Sequence, residues 1–322
     1  MRLTIGLLVG PACDDGSDVH GPATTEPEAG PDQAARIALL DGLQPEGITS
    51  GPGSIAYVGT MTGGAILRVD LASAEVEVLV EPLRGERAFA GLGVHAASGN
   101  IFTCGAWFQN AFVFDPSTGE ELAEIEFPPH ASLINSVSVT HANAFFTDSR
   151  TRDLYRVPLT STGLPSGDAQ VITLGSGFEF VPGVNNANGI VALDDRRAVV
   201  VNSANATLYS VSLETGGAEP IDFGEPLAFG DGLSAYGGNL LLVRNGAQRG
   251  DSDEVVWLSL SADARTGEIL RRETTSNFDF PTTAVHLDGR AWVVNARLGT
   301  IVHGAAAPDD TFELVSLELP LP

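Results

Sequence analysis

Glu46, Asn135, Asn188 and Asp231 are hard oxygen donors, and each opens the same short phrase: Glu46-Gly-Ile, Asn135-Ser-Val, Asn188-Gly-Ile and Asp231-Gly-Leu. Ala90-Gly-Leu and Thr283-Ala-Val keep the phrase without a carboxylate or an amide at its head. Brought round one axis, the four donors make two carboxylates and two amides with no His or Cys. That set suits Ca²⁺ or another hard divalent cation and is wrong for zinc or copper. Two carboxylates balance a divalent charge. Held together without a cation they repel, and one keeps a proton. Asn-Gly and Asp-Gly are also ordinary turn dipeptides, so the weight rests on their recurrence at one register.

The elements that must position these residues repeat. The phrases start at 46, 90, 135, 188, 231 and 283, spaced by 44, 45, 53, 43 and 52 residues. A period of this size with several short strands per repeat predicts propeller blades. Each phrase runs into a hairpin turn, such as Asp194-Asp195 or Gly237-Gly238, and a second strand, such as Ala198-Val-Val-Val-Asn202. Third strands are expected at 65–70, 111–115, 153–157, 207–211 and 254–258, and outer strands at 75–80, 120–125, 169–174, 218–223 and 268–273. The last repeat lacks a fourth strand, which Ala35-Arg-Ile-Ala-Leu-Leu40 supplies. The expectation is an all-β, six-bladed β-propeller over 34–322, closed by an N-terminal outer strand in the last blade. Innermost strands of a propeller line its channel, so residues at one register converge.

Composition narrows the chemistry. The chain has 322 residues, 41 acidic and 17 basic, for a formal net charge of −24, and every basic residue is Arg. Lysine Schiff bases, P-loop lysines and Ser–Lys catalysis are excluded. An acidic chain without basic runs excludes nucleic acid and anionic lipid surfaces as partners. With 43% hydrophobic and only 18% charged residues, it has ample core. No Gly-x-Ser-x-Gly, His-Glu-x-x-His, Cys-x-x-Cys or dinucleotide fingerprint occurs.

A second row of polar residues closes the second strands: Thr60, Asp148, Asn202, Asn245 and Asn295, flanked by Arg244 and Arg297. Asp148, Asn202 and Arg297, with the loop residue His130, are the candidate substrate contacts. His95 and His286 alternate with apolar residues and read as core. Trp107, Phe108, Trp257 and Trp292 read as blade packing. Cys104, in Ile101-Phe-Thr-Cys104, reads as an inert buried thiol.

Residues 1–12 form a short apolar run behind Arg2, signal-like and too short to span a membrane. Residues 13–33 read as a disordered acidic tether, with Pro, Gly and Thr and, after Cys13, six acidic residues and no Arg. Cys13 follows Gly10-Pro-Ala12 in a way that resembles a bacterial lipoprotein signal, which implies lipidation at Cys13. The expected location is extracytoplasmic, as a cell-envelope lipoprotein or a secreted protein. Any membrane attachment would run only through that lipid.

Glu46-Gly-Ile, Asn135, Asn188-Gly-Ile and Asp231-Gly-Leu, in that order, resemble the pattern of the gluconolactonase/senescence-marker-protein (regucalcin-like) family of six-bladed propellers. The resemblance covers 34–322. It implies Ca²⁺ or a similar cation on Glu46, Asn135, Asn188 and Asp231, with Asp231 also the general base, and hydrolysis of lactones or related esters; a monomer is the expected state. Its ligand would be a small lactone, ester or carbohydrate-derived molecule. The alternative is a non-catalytic propeller that binds a ligand or protein and uses the ion as a staple.

Overall fold

The computed structural model describes residues 35–287 and 289–318. The signal-like segment, Cys13 and the tether lie outside them. The described residues form six four-stranded antiparallel sheets arranged as a six-bladed β-propeller. Blade 4 shows the plan: Ala187–Ala192 innermost, then Arg197–Asn202, Thr207–Ser212 and Ala218–Pro220. The only helical segment among the described residues is the one-turn 3₁₀ stretch Ala247–Arg249.

The apolar runs follow from burial on both faces. In Arg197–Asn202, Ala198 and Val200 pack with Phe145 and Leu154 of blade 3, while Val199 and Val201 pack with Leu240 and Leu242 of blade 5. Alternate side chains of one strand thus fill two inter-blade cores, so the strand reads as continuous Val rather than as apolar–polar alternation.

Closure occurs in blade 6. Arg36–Ala38 pairs antiparallel with Glu313–Glu318, with Ile37 opposite Leu314. This strand is shorter than the expected 35–40. In blade 4 the outer strand stops at Pro220 instead of running to 223, although the Ile221 amide still donates to Leu208 O at 2.9 Å.

One feature of the inner strands bears on the site. In blades 1, 3, 4, 5 and 6 the first and second strands share a bulge at the same place, between Pro45/Ile48, Ile134/Val137, Ala187/Ile190, Gly230/Leu233 and Pro281/Ala284. Glu46, Asn135, Asn188 and Asp231 each occupy the first bulge position. This corrects the sixth repeat: its register residue is Thr282, one position before Thr283. Bulges re-aim side chains, so the local defect is what turns the donors toward the axis.

Candidate functional site: a ring of oxygen donors at the channel constriction

The four donors come together. Glu46, Asn135, Asn188 and Asp231 are each less than a tenth exposed. Glu46, Asn135 and Asn188 line both the cavity entered from one face of the propeller and the channel entered from the other, so they stand at the constriction between them. Asn188 Nδ2 lies 2.7 Å from Asp231 Oδ1, and Asn245 Nδ2 lies 2.5 Å from Asp231 Oδ2. Burial pushes the Asp231 carboxyl up to about 6, against the pull of those two amides. Burial raises Glu46 well above the usual range, and the facing charge of Asp231 raises it further.

The amides are anchored by serines. Asn135 Nδ2 donates to Ser149 Oγ at 3.0 Å, and Asn188 Nδ2 to Ser203 Oγ at 3.1 Å. Each serine donates in turn to a backbone carbonyl, Ala187 O at 2.6 Å and Gly230 O at 2.6 Å. Holding the nitrogens in this way leaves the Oδ1 atoms of both asparagines as unspent acceptors. Among the described residues the Glu46 carboxylate accepts no hydrogen bond. Two facing, desolvated carboxylates and two unspent amide oxygens, with no soft donor, form a set that fits a hard divalent cation. Ala90 and Thr282 occupy the other two places. Thr282 Oγ1 donates to the Glu46 carbonyl at 2.6 Å and so joins the last blade to the first.

The glycines of the repeated phrase have a role unrelated to turns. None of Gly47, Gly91, Gly189 and Gly232 has positive φ. Each instead abuts the register residue of the next blade. A Cβ on Gly47 would stand 2.3 Å from Ala90 O, one on Gly91 2.6 Å from Asn135 O, one on Gly189 2.6 Å from Asp231 O, and one on Gly232 2.6 Å from Thr282 O. At four of the six junctions the inner ring is closed by backbone contact that only Gly permits, while Ser136 and Thr283 hold the place at the other two.

Above the donors opens a cavity of about 590 Å³. Loop 246–253 does not seal it; that loop sends Arg249 into the wall. The expected substrate contacts fare differently from the donors, for none of the four lines this cavity. Asp148 is fully buried, and its carboxylate accepts the amides of Ser132 at 2.7 Å, Leu133 at 3.1 Å and Arg150 at 2.9 Å. Asn202 holds Glu179 O at 2.7 Å and the Ala204 amide at 3.0 Å. Arg297 pairs with Asp279 and donates to Thr311 O. His130 meets Asp153 at 3.1 Å with its ring half exposed. Polar residues at the ends of second strands therefore pin inter-blade loops, because those loops cross the blade tops and need buried partners for their amides. Thr60 instead binds Thr62 O and the Ala65 amide in its own blade's next turn, and Asn245, in blade 5, reaches the donors.

The wall is built from residues outside the repeat. Trp107, 41% exposed, belongs to it rather than to blade packing. Trp257 and Trp292 are buried in the cores as expected, and His95 is fully buried. Cys104 is a free, fully buried thiol, pushed up by burial. Arg249 and His303 also face the cavity, and burial lowers the His303 imidazole. These positions lie in loops whose lengths vary between repeats, so register gave no signal for them.

No known family profile matches the sequence, and no curated protein matches it. Solved structures do. The major allergen Mala s 1 of Malassezia sympodialis superposes with a TM-score of 0.65 at 12% identity, covering 88% of this chain and 96% of that one. A gluconolactonase from Xanthomonas campestris gives 0.56 at 14%, covering 89% and 90%. Virginiamycin B lyase from Staphylococcus aureus gives 0.55 at 14%, covering 88% and 99%. At such identities the likeness is one of fold. The neighbours include propeller enzymes, a gluconolactonase and a lyase among them.

Proposed function

We propose that the chain is a divalent-cation-dependent hydrolase of lactones or related esters. The observation that carries this reading is the convergence of Glu46, Asn135, Asn188 and Asp231 from four blades at the floor of an open cavity. A gluconolactonase among the structural neighbours supports the reaction class. Glu46, Asn135, Asn188 and Asp231 would hold Ca²⁺ or a similar ion, which would supply charge neutralisation and polarisation of a bound carbonyl. Asp231 is the base in this reading: its carboxylate stands at the floor of the cavity, where it would take a proton from a water attacking the bound carbonyl. Asn188 and Asn245 each donate to one of its oxygens, which fixes the carboxylate plane and leaves a lone pair on each oxygen. Ser149 and Ser203 keep the asparagine carbonyls aimed inward. The signal-like segment 1–12 and the lipoprotein-like position of Cys13 support, in this reading, a location at the cell envelope or outside the cell.

The test is a panel of small lactones assayed with calcium, with chelator, and with Glu46→Gln and Asp231→Asn. Activity should fall at least 100-fold with chelator and with either substitution. Unchanged turnover in all three would remove the hydrolase. Calcium-dependent melting with no turnover of any lactone would leave the non-catalytic binding propeller.

A further inference from the structure

Glu46, Asn135, Asn188, Asp231 and Asn245 meet at the floor of the cavity, with Ser203 behind Asn188, and Arg150, Asn185, Arg249 and His303 are the other polar groups of its lining. The wall above them is carried by Met61, Trp107, Leu133, Val184, Phe229 and Phe280. Two of these stand open to solvent at the rim, Trp107 at 41% and Val184 at 44%. They are among the few large hydrophobic side chains left exposed, and exposed apolar surface beside a cavity marks a recognition surface.

The charged wall groups are turned partly to the wall itself: Arg249 lies over the Phe229 ring at 5.0 Å, and Arg150 donates to Gly183 O at 2.8 Å. Asn185 keeps a buried Oδ1 with no hydrogen-bond partner among the described residues. His303 sits against Trp107, with ring centroids 6.4 Å apart, and burial favours its neutral form. Beyond these few polar groups the wall is carbon, so a polyhydroxylated ring placed here would leave hydroxyls without partners. Each buried hydroxyl without a partner costs about 1–3 kcal/mol, whereas each buried CH₂ gains about 0.8 kcal/mol. A volume of about 590 Å³ admits a ring system with a short substituent.

We infer that the ligand of this cavity is an apolar, ring-bearing or alkyl lactone or ester, its carbonyl directed to the floor and its hydrocarbon body against Trp107, Val184, Phe229 and Phe280, and not a sugar lactone. This rests on the hydrolase reading only for the words lactone and ester. The preference for an apolar body over a polyol follows from the wall alone.

Binding and turnover can be separated with lactams, which keep the ring and carbonyl but resist hydrolysis. The probes are 3,4-dihydroquinolin-2-one and the lactam of gluconic acid, titrated calorimetrically into the full chain with calcium. The aryl lactam should bind at least ten times more tightly than the polyol lactam. Val184→Asp, at the exposed rim, should weaken the aryl lactam at least fivefold, while Leu193→Asp, exposed in a hairpin outside the cavity, should not change it. Trp107 is the only exposed tryptophan of three, so the aryl lactam should also quench fluorescence, and Trp107→Phe should remove that quenching. Equal or tighter binding of the polyol lactam overturns the inference, as does failure of both probes to bind at millimolar concentration. Inactivity toward every lactone, with the aryl lactam still bound and Val184→Asp still weak, overturns the hydrolase and leaves the apolar recognition standing.

Discussion

At the scale of single residues the two carboxylates of the ring carry the most unusual free energy. Asp231 titrates near 6 in the folded chain against 3.8 for an ordinary aspartate, and Glu46 is raised as well. Between those pH values the folded chain binds more protons than the unfolded one, so the site costs stability as pH rises through that window. The cost is fully present above it. In chelator, the melting temperature should therefore fall between pH 4 and pH 7, and calcium should flatten that fall. Glu46→Gln should flatten it without calcium, as thermal melts across pH would show. The turn aspartates Asp70, Asp115, Asp194 and Asp263 act in the opposite sense. Hydrogen bonds from serine hydroxyls and turn amides hold them below the usual range, so their contribution is lost only below about pH 4. The donors were legible in the sequence because type and register coincide. Asp148 misled for a physical reason. A buried carboxylate that accepts three backbone amides looks, in sequence, like one that awaits a ligand. Asp148→Ala should cost about 1–3 kcal/mol for each amide left dry, measured by urea unfolding, with the KM of any lactone unchanged.

At the scale of the element, the bulged inner strand is the working unit. The bulge turns the donor inward, and the following residue meets the next blade. The Gly after Asn188 reads as a turn residue, yet its φ is not positive and its need is for space. The sequence pattern exposed the repeat but not this cause, because close backbone approach between blades leaves no mark except the missing side chain. Gly189→Ala would place a methyl 2.5 Å from Leu233 N and 2.6 Å from Asp231 O. Overpacking of this kind costs about 1–3 kcal/mol. It also shifts Asp231 relative to Asn188, so calcium affinity should drop by tenfold or more. Gly53→Ala, at a hairpin tip with nothing near its added Cβ, is the comparison: its positive φ makes it mildly destabilising, but calcium binding should be unaltered. Equal calcium affinity in the Gly189 and Gly53 variants would show that the inter-blade contact does not position the donors.

At the scale of the molecule, the ring joins its two ends in one blade. Ile37 is 4% exposed and packs with Val58, Leu67, Trp292, Val294 and Leu314, side chains of blades 1 and 6. The short strand that holds it pairs with Glu313–Glu318 and covers an edge that would otherwise be open. Closure of this kind was legible from arithmetic: the last repeat was one strand short, and only the N-terminal segment could complete it. The loops that form the cavity wall were not, because nothing in a repeat specifies its insertions. Closure also has an energetic consequence. Every blade contacts two neighbours, so loss at the seam is felt round the whole ring, and Ile37→Ala should cost about 2–5 kcal/mol as a buried large-to-small change. Because the donors span blades 1 to 5, weakening the seam leaves the geometry of the site intact in the folded state. Calcium affinity below the melting temperature should therefore match the parent, while chemical unfolding shifts as a single transition. Two separated transitions, with blade 6 lost before the donor ring, would show that the six blades do not unfold as one cooperative ring.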